Sequence, residues 1–245
     1  MVGAGGTSVQ AAEQVRALLF DVQGTATDFH TTVSGTAARV AGDRFPDVDW
    51  AAFVNDWRAV YFRETSRPRS ASDPWISVAG TYRAKLAELL DERGIALTDP
   101  ERDEIAGAWA RLRPWPDTVP GLTRLRSRFT LATLSNADVN SVVAISRLGN
   151  LPWHAVFTAE MAGVFKPDPA VYAMAATYLG LVPEQIMMVA SHKYDIRAAG
   201  ALGFRTAFVA RPLEYGAGGT ADTEFSAEFD LNVSDFEDLA AQLGC

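Results

Sequence analysis

The sequence predicts an α/β fold, a parallel sheet core with a small helical cap inserted after the first strand. Three observations carry that prediction. Short apolar runs recur along the chain and each stops at polar residues, helical stretches separate those runs, and one long segment between the first two runs has no clear strand.

The first run, Ala17-Leu-Leu-Phe20, is closed by Asp21 and followed by Gly24-Thr25. An apolar burst cut off by Asp and Gly reads as a buried strand feeding a loop. The pattern returns in Phe129–Leu134, which ends at Ser135-Asn136, and in Ala155–Thr158. It returns again in Ile186–Ala190, ending at Ser191-His192, and in Thr206–Ala210, ending at Arg211. Helices are expected over Ala137–Leu148, Pro169–Leu179 and Asp195–Leu202, and Ser234-Asp-Phe-Glu237 reads as a capping box for a last helix through Leu243. Strands that are apolar throughout, alternating with helices, make a Rossmann-like parallel sheet covered on both faces. Ligands collect beyond the carboxyl ends of such strands, where the polar residues just named fall.

The segment from about His30 to Arg113 is rich in Trp, Tyr, Ala and Arg. Trp50–Arg63, Ser77–Glu92 and Asp99–Leu112 carry helical periodicity, with Pro100 in a favourable first turn. Pro114-Trp115-Pro116 returns the chain to the core. The expected division is 1–30 and 115–245 for the core and 31–114 for the cap.

The 245 residues, 48% hydrophobic and 21% charged, suit one globular core with or without a small second domain. A net charge of -8 argues against a broad nucleic-acid footprint, but leaves room for a small anion held by one or two arginines. Cys245 is the only cysteine, which excludes an intrachain disulfide framework, and three histidines (His30, His154, His192) without cysteine spacing argue against zinc. Residues 1–15 show no leader pattern, and the first apolar run is too short to span a membrane. A cytoplasmic protein with no membrane partner is the expectation.

Asp21 reads either as a loop-capping carboxylate or as a nucleophile aimed out of a strand end. Lys166, in Phe-Lys-Pro-Asp168, is one of only three lysines and follows a strand end. Ser135-Asn136 suffice as a helix cap, or bind an anion through hydroxyl, amide and backbone N–H groups. Asp195 serves equally as a first-turn aspartate, and Arg58 as a solvated face of a cap helix.

Taken in order, Asp21-x-x-Gly24-Thr25, Ser135-Asn136, Lys166-Pro-Asp and Asp195 resemble the four motifs of the haloacid dehalogenase superfamily over nearly the whole chain. The helical insert, the Trp57-Arg58 pair and Tyr172 after the Lys-Pro-Asp segment resemble its L-2-haloacid dehalogenase branch. Two departures separate the chain from the superfamily's phosphatases. Gln23 stands where they carry a second Asp as general acid and base, and Ala190-Ser191 stand where Gly-Asp would bind Mg²⁺.

The resemblance implies a metal-independent hydrolase of a small 2-substituted carboxylate, foremost an (S)-2-haloacid, with no cofactor. Asp21 would displace the leaving group with inversion and form an ester that water cleaves. Lys166 would hold Asp21 ionised, and Ser135 with N–H groups near Asn136 would bind the substrate carboxylate. Thr25 and Asp195 would orient water, Arg58 would meet the departing anion, and Tyr172 would steady Lys166 or line the pocket. Gln23, which replaces an aromatic residue of the branch, and Phe62 complete the expected substrate contacts. His192, where the best-known members have Asn, resembles a subgroup that includes enzymes acting on fluoroacetate. A homodimer is also implied, although no exposed stripe for it is legible. Two other readings remain open at this point: a ring-opening hydrolase like azetidine-2-carboxylate hydrolase, favoured by Gln23, and a catalytically silent binding protein of the same fold.

Overall fold

The computed structural model describes residues 14–67 and 74–245. The expectation of no leader in residues 1–15 therefore lies almost wholly outside the described residues. Among them, no helix is long and apolar enough to cross a membrane.

Six parallel strands form the core sheet: β1 (Ala17–Phe20), β4 (Thr130–Ser135), β5 (Ala155–Thr158), β6 (Ile186–Ala190), β7 (Arg205–Val209) and β8 (Leu231–Val233). Their spatial order is β5-β4-β1-β6-β7-β8, so β1 lies between β4 and β6. The chain runs outward from β1 to one edge and then restarts beside β1 toward the other. The carboxyl end of β1 is thus the switch point at which α/β sheets open a crevice. All four β1 residues are fully buried, the burial expected of a strand covered on both faces. Phe20 packs against Trp153 and Phe236 with ring centroids 5.2 and 5.1 Å away. Burying such a side chain contributes about 1.5–3 kcal/mol.

A two-residue ribbon pairs β2 (Thr27–Asp28) with β3 (Arg113–Pro114) in antiparallel fashion. Between them, among the described residues, run four helices: α1 (Phe29–Ala41), α2 (Trp50–Thr65), α3 (Val78–Glu92) and α4 (Asp99–Ala106). Asp28, Asp49 and Ser77 accept N–H bonds at the starts of the first three. One expectation for this segment needs correction: its last helix stops at Ala106 and tightens into a 3₁₀ turn over Gly107–Ala110. That helix starts from a Thr98–Glu101 capping box with Asp99 already helical. The core of the segment is an aromatic stack: Tyr82 lies flat on Trp109 at 3.9 Å and on Tyr61 at 4.2 Å, with Trp57 edge-on to Tyr82.

The remaining helices cover the sheet: α5 (Thr118–Leu125), α6 (Val139–Gly149), α7 (Pro169–Leu179), α8 (Lys193–Ala201) and α9 (Phe236–Gln242). The cap of α9 sits one residue later than the sequence pattern. Asp235 accepts from Asp238 N at 2.7 Å and Asp238 accepts from Ser234 N at 2.9 Å, so Asp238 takes the place expected of Glu237. Asn136 and Ser135 cap nothing; the N-cap of α6 is Asp138.

Candidate active site

Asp21 follows directly on β1, its N–H donating to Val189 O of β6 at 3.0 Å. The next residues form a tight loop, with Ala26 N and Thr27 N both donating to Val22 O. Arg211, buried at the end of β7, donates to Thr25 O at 2.8 Å and forks onto Asp117 at 2.8 and 2.9 Å. Trp115 Nε1 donates to Gly24 O at 2.9 Å. Two elements distant in sequence therefore fix the loop that carries Asp21.

The carboxylate of Asp21 is 5% exposed and every nearby strand end supplies it a partner. Lys166 Nζ lies 3.2 Å and Ser135 Oγ 3.4 Å from Oδ1. Thr25 Oγ1 donates to Oδ2 at 2.9 Å, and His192 Nδ1 lies 3.4 Å from the same oxygen. Lys166 also forms a short bond to Asp195, whose other oxygen accepts from Tyr172 OH at 2.6 Å. Asn136 clamps the lysine's backbone from both sides, accepting from Lys166 N at 2.7 Å and donating to Lys166 O at 3.1 Å.

These contacts set the charges. Burial alone would raise the Asp21 carboxyl, but Lys166 and then His192 outweigh it and hold Asp21 well below the usual carboxylate range. Burial likewise works against the Lys166 ammonium, and the attraction of Asp195 and Asp21 raises its pKa instead. Asp195 is raised by burial and by the neighbouring Asp21 charge, against the pull of Lys166. Burial opposes a charge on His192 too, yet Glu214 and Asp21 push its pKa up to about 10. His192 Nε2 lies 2.7 Å from Glu214 Oε1.

On the other side stands Arg58 of α2, only 3% exposed. Its Nη1 donates to Gln23 Oε1 at 2.8 Å and to Tyr82 OH, and its guanidinium lies over the Phe62 ring at 4.4 Å. No carboxylate pairs with it among the described residues. Burial works against its charge, but the oxygens of Tyr82, Tyr61, Tyr215 and Glu214 outweigh burial and keep it protonated. A buried cation without a counterion is suited to an anion that arrives with the substrate.

A cleft of about 670 Å³ opens beside this array, lined by Phe62, Asn136, Lys166 and Tyr194 among others. It reaches Lys166 and Asn136 but stops short of Asp21 and Arg58. His192 and Glu214 line a second opening of about 440 Å³, which shares Phe62 and Tyr194 with the first. Phe62 and Tyr194 stand between the two.

A model of the haloacid dehalogenase-like hydrolases matches residues 15–203, more than half of the chain. The chain is a haloacid dehalogenase-like hydrolase. Within the family it is 27% identical over 214 residues to (S)-2-haloacid dehalogenase 4A of Burkholderia cepacia, covering 83% of this chain and 87% of that one. A crystal structure of an L-2-haloacid dehalogenase superposes with a TM-score of 0.87 at 38% identity, over 94% of this chain and 100% of the other. A defluorinating L-2-haloacid dehalogenase superposes at 0.88 with 35% identity, over 94% and 96%.

The structure of this hydrolase brings Asp21, Thr25, Ser135, Lys166, Asp195 and His192 to one place, held by Asn136 and Tyr172, with Arg58, Gln23 and Phe62 facing them. Asp195 is fully buried, with one oxygen on Lys166 and the other on Tyr172. Sequence reasoning missed Glu214, Tyr82 and Asp138, and named Arg211 only as the polar stop of a strand. Arg211 and Glu214 follow a strand end, a signal that was legible. Tyr82 and Asp138 carried none.

The donor set does not suit a hard divalent cation. Gln23 Oε1 is occupied by Arg58 and Tyr82, Ala190 offers no side-chain oxygen, and the Ser191 hydroxyl is engaged with Thr25 at 3.0 Å. Among the described residues no three His, Cys, Asp or Glu side chains are grouped to hold a metal.

Proposed function

We propose that this hydrolase replaces the halogen of a small (S)-2-haloacid by hydroxyl, through a covalent Asp21 ester and without a metal. One observation carries the reading. Asp21 is held ionised by Lys166 at one oxygen and touched by Thr25 and His192 at the other, while Gln23 supplies no second acid.

Asp21 attacks C2 of the substrate, and the carbon–halogen electrons leave with the halide. Ser135 and the adjoining backbone N–H groups hold the substrate carboxylate. Phe62 lines the approach, and Arg58, steadied by Gln23 and Tyr82, meets the departing anion. Ester formation removes the Asp21 charge, one of the two carboxylates that keep His192 protonated. The hold on that proton weakens, although Glu214 stays on the far nitrogen; once the imidazolium gives the proton to solvent, the imidazole stands as a base beside the ester. It takes a proton from water, and the hydroxide attacks the Asp21 side-chain carbonyl. The 2-hydroxyacid oxygen leaves with the proton of the attacking hydroxyl, and the water oxygen stays on Asp21, which is a carboxylate again. Substrate and water thus become 2-hydroxyacid, halide and one proton.

The similarity to dehalogenases favours this reading over ring opening or silent binding. The decisive experiment offers racemic 2-chloropropionate with EDTA present and follows halide release, with fluoroacetate as a second substrate. Release that stops at half the halide, leaving one enantiomer, is expected. One turnover in ¹⁸O-water should deliver unlabelled hydroxyacid, and label in that first product would rule out the Asp21 ester.

A further inference from the structure

Behind Gln23, away from the cleft at Lys166, lies a separate cavity of about 270 Å³. Gln23, Tyr82 and Trp109 form its inner end, while Gly80, Arg83 and Asp103 lie toward its mouth. Gln23 is 3% exposed and its oxygen is already spent on Arg58 Nη1 at 2.8 Å and Tyr82 OH at 3.3 Å. That leaves the carboxamide nitrogen, which has no protein partner among the described residues. Arg58 Nε is buried and likewise unpartnered. Arg83 and Asp103 pair across the mouth at 2.8 Å, each about half exposed.

We propose that this cavity is the exit path of the leaving anion, distinct from the substrate cleft, and that the Gln23 amide passes the anion from Arg58 into it. The inference rests on the dehalogenase reading above. Its physical basis is the partition itself. Gln23 and Tyr82 are bound to Arg58 on one side and line the cavity on the other, so unpartnered N–H donors of Arg58 and Gln23 stand on its two sides. An anion formed at Arg58 is blocked by the new ester from the way the substrate entered. The buried, unpartnered Arg58 Nε costs free energy unless something accepts from it, and a transient anion does so. The exposed ion pair at the mouth, worth little by itself, opens readily.

Gly80 allows a plug. It is exposed, and an added Cβ would meet only Ser77, at 3.6 Å or beyond. Gly80→Trp is therefore expected to fold, with Gly80→Ala as control and a thermal melt as check. In rapid mixing, intact mass reads ester formation and a halide-sensitive dye reads halide reaching bulk water. Gly80→Trp should form the ester at the parental rate and release halide later by about tenfold or more, as when product release limits turnover. Halide appearing as fast as in the parent would overturn the proposal, and so would slowed ester formation, which would make the cavity the substrate's entrance. Quenching of Trp109 fluorescence by iodide, taken as the difference from Trp109→Phe, tests passage in the resting enzyme. Gly80→Trp should abolish it, and unchanged quenching would count against the path. A parent that forms no ester with any 2-haloacid would refute the reaction instead, leaving the quenching experiment to decide the path.

Discussion

Glu214→Gln separates the two half-reactions. The change keeps size and one hydrogen bond but removes the negative charge 2.7 Å from His192 Nε2, the largest attraction that raises the imidazole to about 10. Lys166 stays in place, so Asp21 remains ionised and ester formation should fall by no more than about tenfold, the share of one secondary charge. Ester hydrolysis needs an imidazole that is oriented and stabilised as it takes the water proton. Loss of that support should slow hydrolysis by roughly 10²–10⁴, the usual range for general-base catalysis. Mixing the variant with one equivalent of (S)-2-chloropropionate and following intact mass should show the Asp21 ester accumulating, with a burst of halide matching the enzyme. The reasoning fails if hydrolysis keeps pace and no ester is seen, or if ester formation is lost to the same degree.

The remaining predictions follow from the same contacts. Lys166→Gln leaves Asp21 and Asp195 buried without their shared cation; no ester should form, and stability should drop by about 3–5 kcal/mol in a denaturant melt. Adding Asp195→Asn to that variant should restore much of the stability and none of the activity. His192 binds its proton more tightly folded, with a pKa near 10 against an ordinary 6.5. Its contribution to stability is therefore complete below about pH 6.5 and lost as pH rises toward 10, and His192→Asn should flatten that fall in a pH series of melts. Gly24 has φ +95° and an added Cβ would sit 2.3 Å from Glu214 Oε1. Gly24→Ala should cost about 1–3 kcal/mol and also slow ester hydrolysis, because it displaces the carboxylate that holds His192.

The strands of the core were legible because burial on both faces leaves apolar runs, and their polar stops mark the crevice. The β2–β3 ribbon was not, since two residues a side carry no periodicity. Asp138 shows a different limit. It occupies the N-cap of α6, yet its carboxylate makes no cap bond there. It accepts instead from Ser77 Oγ, Val78 N, Ala79 N and Trp75 Nε1, at 2.8–3.2 Å, and so serves the start of α3 in the helical insert. Which helix end a carboxylate serves is a tertiary fact. Asp21, Thr25 and Asp195 converge because each stands just past a strand end or in the first turn beyond it, and Lys166 is brought in by the longer connection after β5, which passes through a 3₁₀ turn over Ala159–Ala162. Tyr82 gave no warning, because an aromatic at helical spacing reads as core, which this one also is.

Gln23 and His192, two of the departures from the best-known members, are linked in the proposed reaction through the charge of the leaving anion. Nucleophilic attack transfers the negative charge of Asp21 to the leaving anion at Arg58, so the site keeps its total charge until that anion departs. Its departure takes a further negative charge out of the site. At that moment the imidazolium, already deprived of Asp21, loses a further reason to keep its proton. Water is then activated after the halide has gone and not before, which protects the ester from attack while the reverse displacement by the halide is still open. On the proposed reaction, residue 23 would govern when the anion leaves and residue 192 would respond to that event. Exchanging Gln23 for Phe should therefore shift the pH dependence of ester hydrolysis as well as the preference among halides, although position 23 has no contact with His192.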